Sequence, residues 1–244
     1  MPETDVTGRG PIGIICAMAL LAGCSVAPEG ADFHDPYEAT NRQIHAFNKS
    51  LDSAFVRPGG QVSVSLPEAI SGPVLNFSDN VSLPGMVLNG VLQADVEGVV
   101  RNSLRFIINS TVGLGGFFDP AGAIGVTEKT TDFGETLYVW GVPEGAYLEL
   151  PLLGPSTQRD ALGEVADILL NPLDFVGTPN QLKYGTYARI AEQVIDRGNI
   201  GDTIDSVLYE SADSYAQARL IYLQNRRFEL GQEAVDAYID PYAQ

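Results

Sequence analysis

Apolar residues recur at helical spacing along most of the chain. Between residues 37 and 55 the large apolar side chains lie three, four or seven positions apart, which predicts an amphipathic helix with one buried face. Asp35 suits the N-cap of this helix, Pro36 its first position and Glu38 a capping box. The RPGG segment at residues 57–60 predicts its end. Its apolar positions are Tyr37, Ile44, Phe47, Leu51 and Phe55.

The same periodicity predicts a series of further helices. A helix is expected over residues 67–80, kinked or divided at Pro73, and the longest helix over residues 84–111. Charged residues on the polar arc of the longest helix make a bilayer-spanning segment a poor interpretation. No repeat and no strand–helix alternation is visible, so the sequence predicts a mainly α, single-domain fold. Later helices are predicted at residues 132–140, 156–170, 179–197 and 203–228, with a short extended piece at residues 147–153.

The apolar run PIGIICAMALLA at residues 11–22 has a different character. Its length of about 12 residues fits the h-region of a signal peptide and is too short to span a bilayer. It ends in Leu-Ala-Gly-Cys, which resembles the lipobox of bacterial lipoproteins. We therefore expect a signal peptide at residues 1–23, a lipidated Cys24 beginning a tether at residues 24–34, and a helical domain at residues 35–244. The alternative is a buried first helix with an incidental cysteine.

Charge and cysteine content exclude several classes of protein. The formal charge of the 244-residue chain is −17. Loss of the signal peptide removes one positive and two negative charges, which leaves −16. Such an acidic chain lacks the general electrostatic footprint of a nucleic-acid binder and the basic face of a helix that binds anionic lipid. Cys16 leaves with the signal peptide, so disulfides, cysteine-ligated zinc and a cysteine nucleophile are excluded in the mature protein.

Catalytic signatures are absent from the sequence. It contains no HExxH, GxSxG, SxxK or P-loop motif, and its two histidines are His34 and His45. A Ser-His-Asp triad would have to use His45, whose own helix carries no nucleophile signature. We expect His45 to be a partly buried, hydrogen-bonded residue. The sequence therefore predicts no metal, no cofactor and no enzymatic activity.

The segment GLGGFFDPAG at residues 113–122 combines glycines with aromatic residues. It is not a GxGxxG phosphate loop, because Phe118 stands where the third glycine is needed. One interpretation is a helix C-cap at Gly113 followed by a connector. The other is a hinge whose apolar side chains contact lipid. Trp140 likewise fits either a core position or a membrane interface.

Five segments resemble the MlaA family, also called VacJ, of outer-membrane lipoproteins. The resemblance runs from about residue 35 to residue 228. The segments are DPYEATNRQIHAFN (35–48), VLNFSDNV (74–81), RFIINSTVGLGGFFDPAG (105–122), DFGETLYVWGVPEGAYLELPLLGPSTQRD (132–160) and DSYAQARLIYLQNRRF (213–228).

This resemblance implies a ring-like fold of amphipathic helices seated in the periplasmic leaflet of the outer membrane. It implies removal of mislocalised phospholipids from the outer leaflet through an amphipathic pore. The expected partners are phospholipid, a soluble periplasmic lipid carrier and an outer-membrane porin trimer. The alternatives are a scaffold that moves no lipid and a phospholipid hydrolase.

The resemblance also implies roles for particular residues. Cys24 would carry the lipid anchor, and Ser25 beside it is consistent with release to the outer membrane. A hinge loop would shape the pore opening, with its glycines as the hinge and its other residues as an apolar surface. The residues of this loop are Gly113, Leu114, Gly115, Gly116, Phe117 and Phe118.

Overall fold

The computed structural model describes residues 33–232, apart from the side chains of residues 179–181. The expected signal peptide, Cys24 and most of the tether lie outside the described residues. In chain order the elements are α1 (Glu38–Leu51), α2 (Arg57–Ser63), α3 (Glu68–Leu92), α4 (Val96–Thr111), α5 (Pro120–Ala123), α6 (Phe133–Val139), β1 (Tyr147–Leu150), β2 (Gly154–Thr157), α7 (Gln158–Leu170), α8 (Pro172–Val176), α9 (Pro179–Asn199), α10 (Gly201–Asp205) and α11 (Ser214–Glu229). Two π-helical turns, Asp52–Val56 and Ser206–Glu210, follow α1 and α10.

The RPGG segment does not end the first helix, so that prediction is wrong. The chain continues from α1 through the π-helical turn into α2. Pro58 lies in the first turn of α2, directly after the π-helical turn. Gly60 allows a close helix contact, because a Cβ atom there would lie 2.8 Å from the backbone nitrogen of Gly198 in α9. The glycine thus serves packing and not termination.

The predicted start of the first helix is also corrected. Tyr37 occupies the N-cap position and makes no capping hydrogen bond through its side chain. The Asp35 carboxylate accepts hydrogen bonds from the side chains of Asn41, Tyr215 and Arg219. Asp35 therefore joins the beginning of the domain to α11, a tertiary role that a capping pattern does not reveal.

The two helices expected at residues 67–80 and 84–111 are divided at the wrong place. Helix α3 runs through both Pro73 and Pro84 and ends at Leu92. The chain reverses at Ala94, whose φ of 58° lies in the left-handed region, and α4 then packs along α3. Tertiary packing along α3 offsets the hydrogen bonds that the two prolines cannot donate.

Most of the remaining predicted elements are present. The helices expected at residues 132–140, 156–170 and 179–197 correspond to α6, α7 and α9. The extended piece contains β1, which pairs in antiparallel register with the unpredicted strand β2. The long helix expected at residues 203–228 is interrupted before α11, where the Asp213 carboxylate accepts a capping hydrogen bond from the Ala216 N–H group. The short helices α5 and α8 were not predicted.

The elements pack in a closed circuit. Helix α2 packs against α9, α9 against α3, α3 against α6, α6 against α7, α7 against β1, and β1 against α1. Because the π-helical turn joins α1 to α2, the circuit returns to its start. The predicted mainly α, single-domain fold is confirmed, and the circuit makes it ring-like. Within residues 33–232 no helix is both long and apolar enough to cross a membrane.

Candidate functional site

Helix α4 has its polar face buried and its apolar face exposed. Asn102, Arg105 and Asn109 point into the protein, and Asn102 is 0% exposed. On the opposite side Ile107 is 58% exposed. The apolar outer face of α4 consists of Val96, Val100, Leu104 and Ile107. The polar face of α4, and not its apolar face, is therefore the buried one.

The same reversal occurs in α1 and across the described part of the chain. Asn41 and His45 are the buried residues of α1, whereas Phe47 is exposed, so the prediction that this helix buries its apolar face is wrong. Among the described residues, buried polar or charged side chains outnumber buried apolar ones, contrary to the usual pattern of a water-soluble domain. Trp140 is 54% exposed, and its indole N–H group donates to the Leu92 carbonyl oxygen at 3.1 Å. It is therefore not a core residue.

The buried polar groups of α4 are held by specific hydrogen bonds. The Asn102 amide donates to the Lys129 carbonyl oxygen at 2.8 Å and accepts from the Lys129 N–H group at 3.0 Å. Asn109 donates to Asp119 at 2.8 Å. Arg105 donates to the Val126 carbonyl oxygen at 2.7 Å. These bonds compensate for desolvation and hold α4 to the segment at residues 119–129.

Three cavities, each lined by charged as well as apolar side chains, lie next to one another between these elements. A cavity of about 470 Å³ lies between α1 and α9, and it shares Pro155 with a second cavity of about 260 Å³ beside α7 and α11. The second shares Glu164 and Asp167 with a third cavity of about 190 Å³ between α3, α7 and α9. We call this series of cavities the polar passage.

Carboxylates dominate the electrostatics of the passage. Burial raises the pKa of both Glu164 and Asp167. Repulsion from Asp167 adds to the shift of Glu164, and repulsion from Asp132 adds to that of Asp167. Burial also opposes ionisation of Asp160, yet Arg226 and Arg159 hold the pKa of that carboxyl below its ordinary value. No sequence pattern distinguishes these residues, because acidic side chains are abundant throughout the chain.

Asp79 and Glu128 form a second acidic group near Arg105. Burial, followed by repulsion from Glu128 and Glu192, raises the pKa of Asp79 to about 6. Burial raises the pKa of Glu128 as well, against the opposing effect of Arg105. Within residues 33–232 no group of three or more potential ligands could hold a metal ion.

The glycine-rich loop after α4 is tightly constructed. The N–H groups of Gly113 and Gly116 donate to the carbonyl oxygens of Ile108 and Asn109, at 3.1 and 2.9 Å. At Gly116, φ is 96° and a Cβ atom would lie 2.5 Å from the Asn80 Cβ atom. These contacts restrict the backbone of the loop to one conformation at the end of α4. Gly115 differs, because a Cβ atom there would meet nothing within 4 Å.

The apolar side chains of this loop are largely exposed. Leu114 is 68% and Phe118 is 55% exposed, and the Phe117 ring stacks on the Phe77 ring of α3 at 5.2 Å. The loop therefore combines a close-packed backbone with an apolar outer surface. Its role at a pore opening stays a prediction.

An apolar groove of about 450 Å³ lies on the outside of the same helical hairpin. Aliphatic and aromatic side chains of α3 and α4 form most of its walls, and Pro172 at the start of α8 completes it. The groove is lined by Pro84, Val87, Leu88, Val91, Ser103, Phe106, Ile107 and Pro172. Its walls suit hydrocarbon rather than water.

His45 is buried between α1, β1 and α11, in agreement with the expectation of a hydrogen-bonded histidine. Its Nδ1 atom lies 3.2 Å from the Glu149 carboxylate, and its Nε2 atom lies 3.1 Å from the Ser214 hydroxyl. The Tyr147 hydroxyl donates to the other oxygen of Glu149 at 2.6 Å. Tyr147, Glu149 and Ser214 all lie more than 100 positions from His45 in the sequence, so no local motif could have identified the cluster.

Comparisons with known proteins agree with this architecture. The model of the MlaA lipoprotein family matches residues 33–229. The chain is 34% identical to the intermembrane phospholipid transport system lipoprotein MlaA of Shigella flexneri and 33% identical to that of Escherichia coli K12, over 86% of this chain and 84% of each relative. An uncharacterised protein of Rickettsia bellii is 35% identical over 80% of this chain and 76% of its own length.

A solved structure has the same fold. It comes from work on the structural basis for maintenance of bacterial outer membrane lipid asymmetry. The TM-score is 0.67 at 29% sequence identity, over 80% of this chain and 98% of that one. The family model and the relatives together show that the chain belongs to the MlaA lipoprotein family.

Proposed function

We propose that this protein is an outer-membrane lipoprotein that removes mislocalised phospholipids from the outer leaflet and so maintains lipid asymmetry. The observation that carries the proposal is the reversed packing of α4, with polar side chains inside and apolar ones outside. The apolar outer surface suits acyl chains, and the charged side chains that line the polar passage suit the head group. Membership of a family of intermembrane phospholipid transport lipoproteins supports the same function.

The proposal includes an orientation and partners. Lipids on Cys24 anchor the protein to the periplasmic leaflet, and the ring lies in that leaflet. A soluble periplasmic carrier takes up each lipid from the passage, and an outer-membrane porin trimer lies beside the ring. The loop from Gly113 to Phe118 lies at the pore opening, where Leu114 and Phe118 offer apolar surface to lipid.

Photocrosslinking tests lipid passage directly. The full-length lipoprotein, purified in detergent, is mixed with a phospholipid that carries a photoreactive group on its head. We expect crosslinks to side chains of the passage, such as Glu164 and Asn89, and none to Glu210, which lies outside the passage. A scaffold that moves no lipid would give no crosslinks inside the ring, and that result would contradict the proposal.

One arrangement favours phospholipid hydrolysis as a second candidate function. In a Ser-His-acid triad the hydroxyl of Ser214 would attack the ester carbonyl carbon while His45 Nε2 takes its proton and Glu149 holds Nδ1–H. The proton would leave on the lysophospholipid, and water would release the fatty acid. We assign the cluster a structural role instead, because His45 and Glu149 are buried and join three elements. Release of fatty acid by the pure protein, abolished in Ser214→Ala, would reverse that assignment.

A further inference from the structure

We infer that the third cavity of the polar passage selects phospholipids whose head group carries both a phosphate and an ammonium group. In this assignment Arg189 binds the phosphate, and Glu164 and Asp167 bind the ammonium group. The inference rests on the proposed transport function and adds the head-group class to it. Both charge types line the same cavity of about 190 Å³.

The first argument is that two opposite charges in this cavity are unpaired. Both side chains are exposed, and among the described contacts neither makes a hydrogen bond or a salt bridge, although Arg189 attracts the Asp167 carboxylate at longer range. Every other described arginine has a carboxylate partner. Two opposite charges that share a cavity without contacting each other fit a ligand that carries the complementary pair.

Asp167 supplies a fixed second carboxylate. Its two oxygens accept hydrogen bonds from the Asn89 amide at 2.8 Å and from the Phe133 N–H group at 2.9 Å. These bonds hold the carboxylate in place and leave lone pairs for another donor. Because carboxylates outnumber the single guanidinium in this cavity, an anionic head group without an ammonium is disfavoured there.

The position of the cavity explains where the acyl chains would lie. Ser82, Met86 and Asn89 line the cavity from one face of α3, and Pro84, Val87, Leu88 and Val91 line the apolar groove from the opposite face. Two adjacent residues at the start of α8 are divided in the same way: Asn171 lines the cavity, and Pro172 lines the groove. A phospholipid that bends around α3 can therefore place its head in the cavity and its acyl chains in the groove.

Native mass spectrometry of the full-length lipoprotein in detergent tests the inference. Short-chain phosphatidylethanolamine and phosphatidylglycerol are offered at equal concentration, and the two binding constants are compared. We expect about tenfold preference for phosphatidylethanolamine, the effect of one charge-assisted hydrogen bond. Glu164→Gln should reduce this preference to nearly one, and Glu210→Gln, a matched variant at an exposed position outside the passage, should keep it.

Arg189 has its own arm of the experiment. Both lipids carry a phosphate, so Arg189→Gln should weaken the binding of both about tenfold, while Arg101→Gln on the exposed side of α4 should weaken neither. Glycerophosphoethanolamine, which lacks acyl chains, should bind at least tenfold more weakly than the intact lipid.

The outcomes separate the inference from the proposed function. Binding of both lipids with equal affinity would overturn the head-group inference and leave transport intact. Binding of neither lipid would count against the transport function itself. Equal affinity for glycerophosphoethanolamine would overturn the assignment of the acyl chains to the groove. Unchanged affinities in Arg189→Gln would overturn the phosphate assignment.

Discussion

Gly115 and Gly116 are neighbours in sequence but have different surroundings. Both have positive φ, yet a Cβ atom at Gly116 would overlap Asn80, and one at Gly115 would point into open space. We expect Gly116→Ala to lower the free energy of unfolding by about 3 kcal/mol, through overlap and backbone strain. Gly115→Ala should cost about 1 kcal/mol through backbone strain alone. Urea denaturation of the purified proteins measures both, and equal losses would contradict the loop geometry.

Gly115→Ala is therefore the variant that tests a hinge in this loop. It should stay folded while its loop becomes stiffer, so we expect altered detergent sensitivity of cells that carry it. Growth in detergent, compared at matched protein abundance in the outer membrane, measures the effect. Unchanged sensitivity would favour a simple helix cap over a hinge.

Asp79 should make stability depend on pH. Its pKa is raised from 3.8 to about 6, so the folded protein binds this proton more tightly than the unfolded chain. The stability that this proton contributes is present at pH 4 and lost as the pH rises through 6. Asp79→Asn should equal the wild type at pH 4 and exceed it by about 1 kcal/mol at pH 8, a value reduced by partial solvation of the carboxyl.

Denaturant unfolding at the two pH values measures this difference. Other carboxyls titrate in both proteins and cancel in the comparison. Asp174→Asn, at an exposed position of α8, provides the matched control and should show no pH-dependent gap. The assigned environment of Asp79 would be wrong if its variant gained nothing at pH 8.

At the scale of single residues, the sequence predicted that a side chain would be hydrogen-bonded better than it predicted the partner. His45 was expected to be partly buried and hydrogen-bonded; it is hydrogen-bonded, and it is buried more completely than expected. Asp35 was expected to cap a helix, but its partners lie in the distant α11. Periodicity and capping patterns report local backbone preferences, whereas long-range pairs depend on the closed fold.

Among the elements, α4 offers the clearest test of reversed packing. Leu104→Lys changes an exposed side chain of its outer face, so the protein should remain folded in detergent and lose affinity for membranes. Asn102→Leu leaves two backbone groups of Lys129 without partners and should cost about 2 kcal/mol or more of stability. Vesicle flotation and denaturant unfolding measure the two effects.

Arg101→Ala is the matched control on the same helix. It removes an exposed partner of Glu97 and should change stability by less than about 1 kcal/mol. If Leu104→Lys unfolded the protein and Asn102→Leu did not, α4 would have the ordinary orientation of a helix in a soluble domain.

Helix α4 shows why the sequence predicted the positions of helices better than it predicted which of their faces is buried. An amphipathic period identifies two faces, but it does not say which face meets solvent, lipid or protein. Helix boundaries at Pro58 and Pro84 were misplaced for a related reason. Packing at Gly60 and along α3 outweighs the local cost of proline, and local patterns contain no information about such packing.

For the whole molecule, the anchor and the ring should act separately. Cys24→Ser removes the residue that would carry lipid, so we expect unprocessed precursor and incorrect sorting. Part of this protein should nevertheless stay with membranes, because the exposed apolar surface of the ring is unchanged. Membrane fractionation with a carbonate wash measures the retained fraction. A folded and fully soluble variant would leave the anchor as the sole membrane contact.

The overall architecture was predicted mainly through family resemblance. Periodicity alone gave a mainly α domain, and the resemblance added the ring and the transport function. Neither source located the polar passage, because Glu164, Asp167 and Arg189 come together only when α7 and α9 pack around α3. The head-group selectivity inferred above is therefore a property of the folded molecule.

Outer-leaflet phospholipid tests the central claim most directly. It is measured with an impermeant amine-reactive probe in cells that lack the gene and any paralogue, with and without the restored wild-type protein. Removal of mislocalised phospholipid predicts more labelled phospholipid in the deletion strain and a return to normal on restoration. Equal labelling in the deletion strain and its parent would contradict the account.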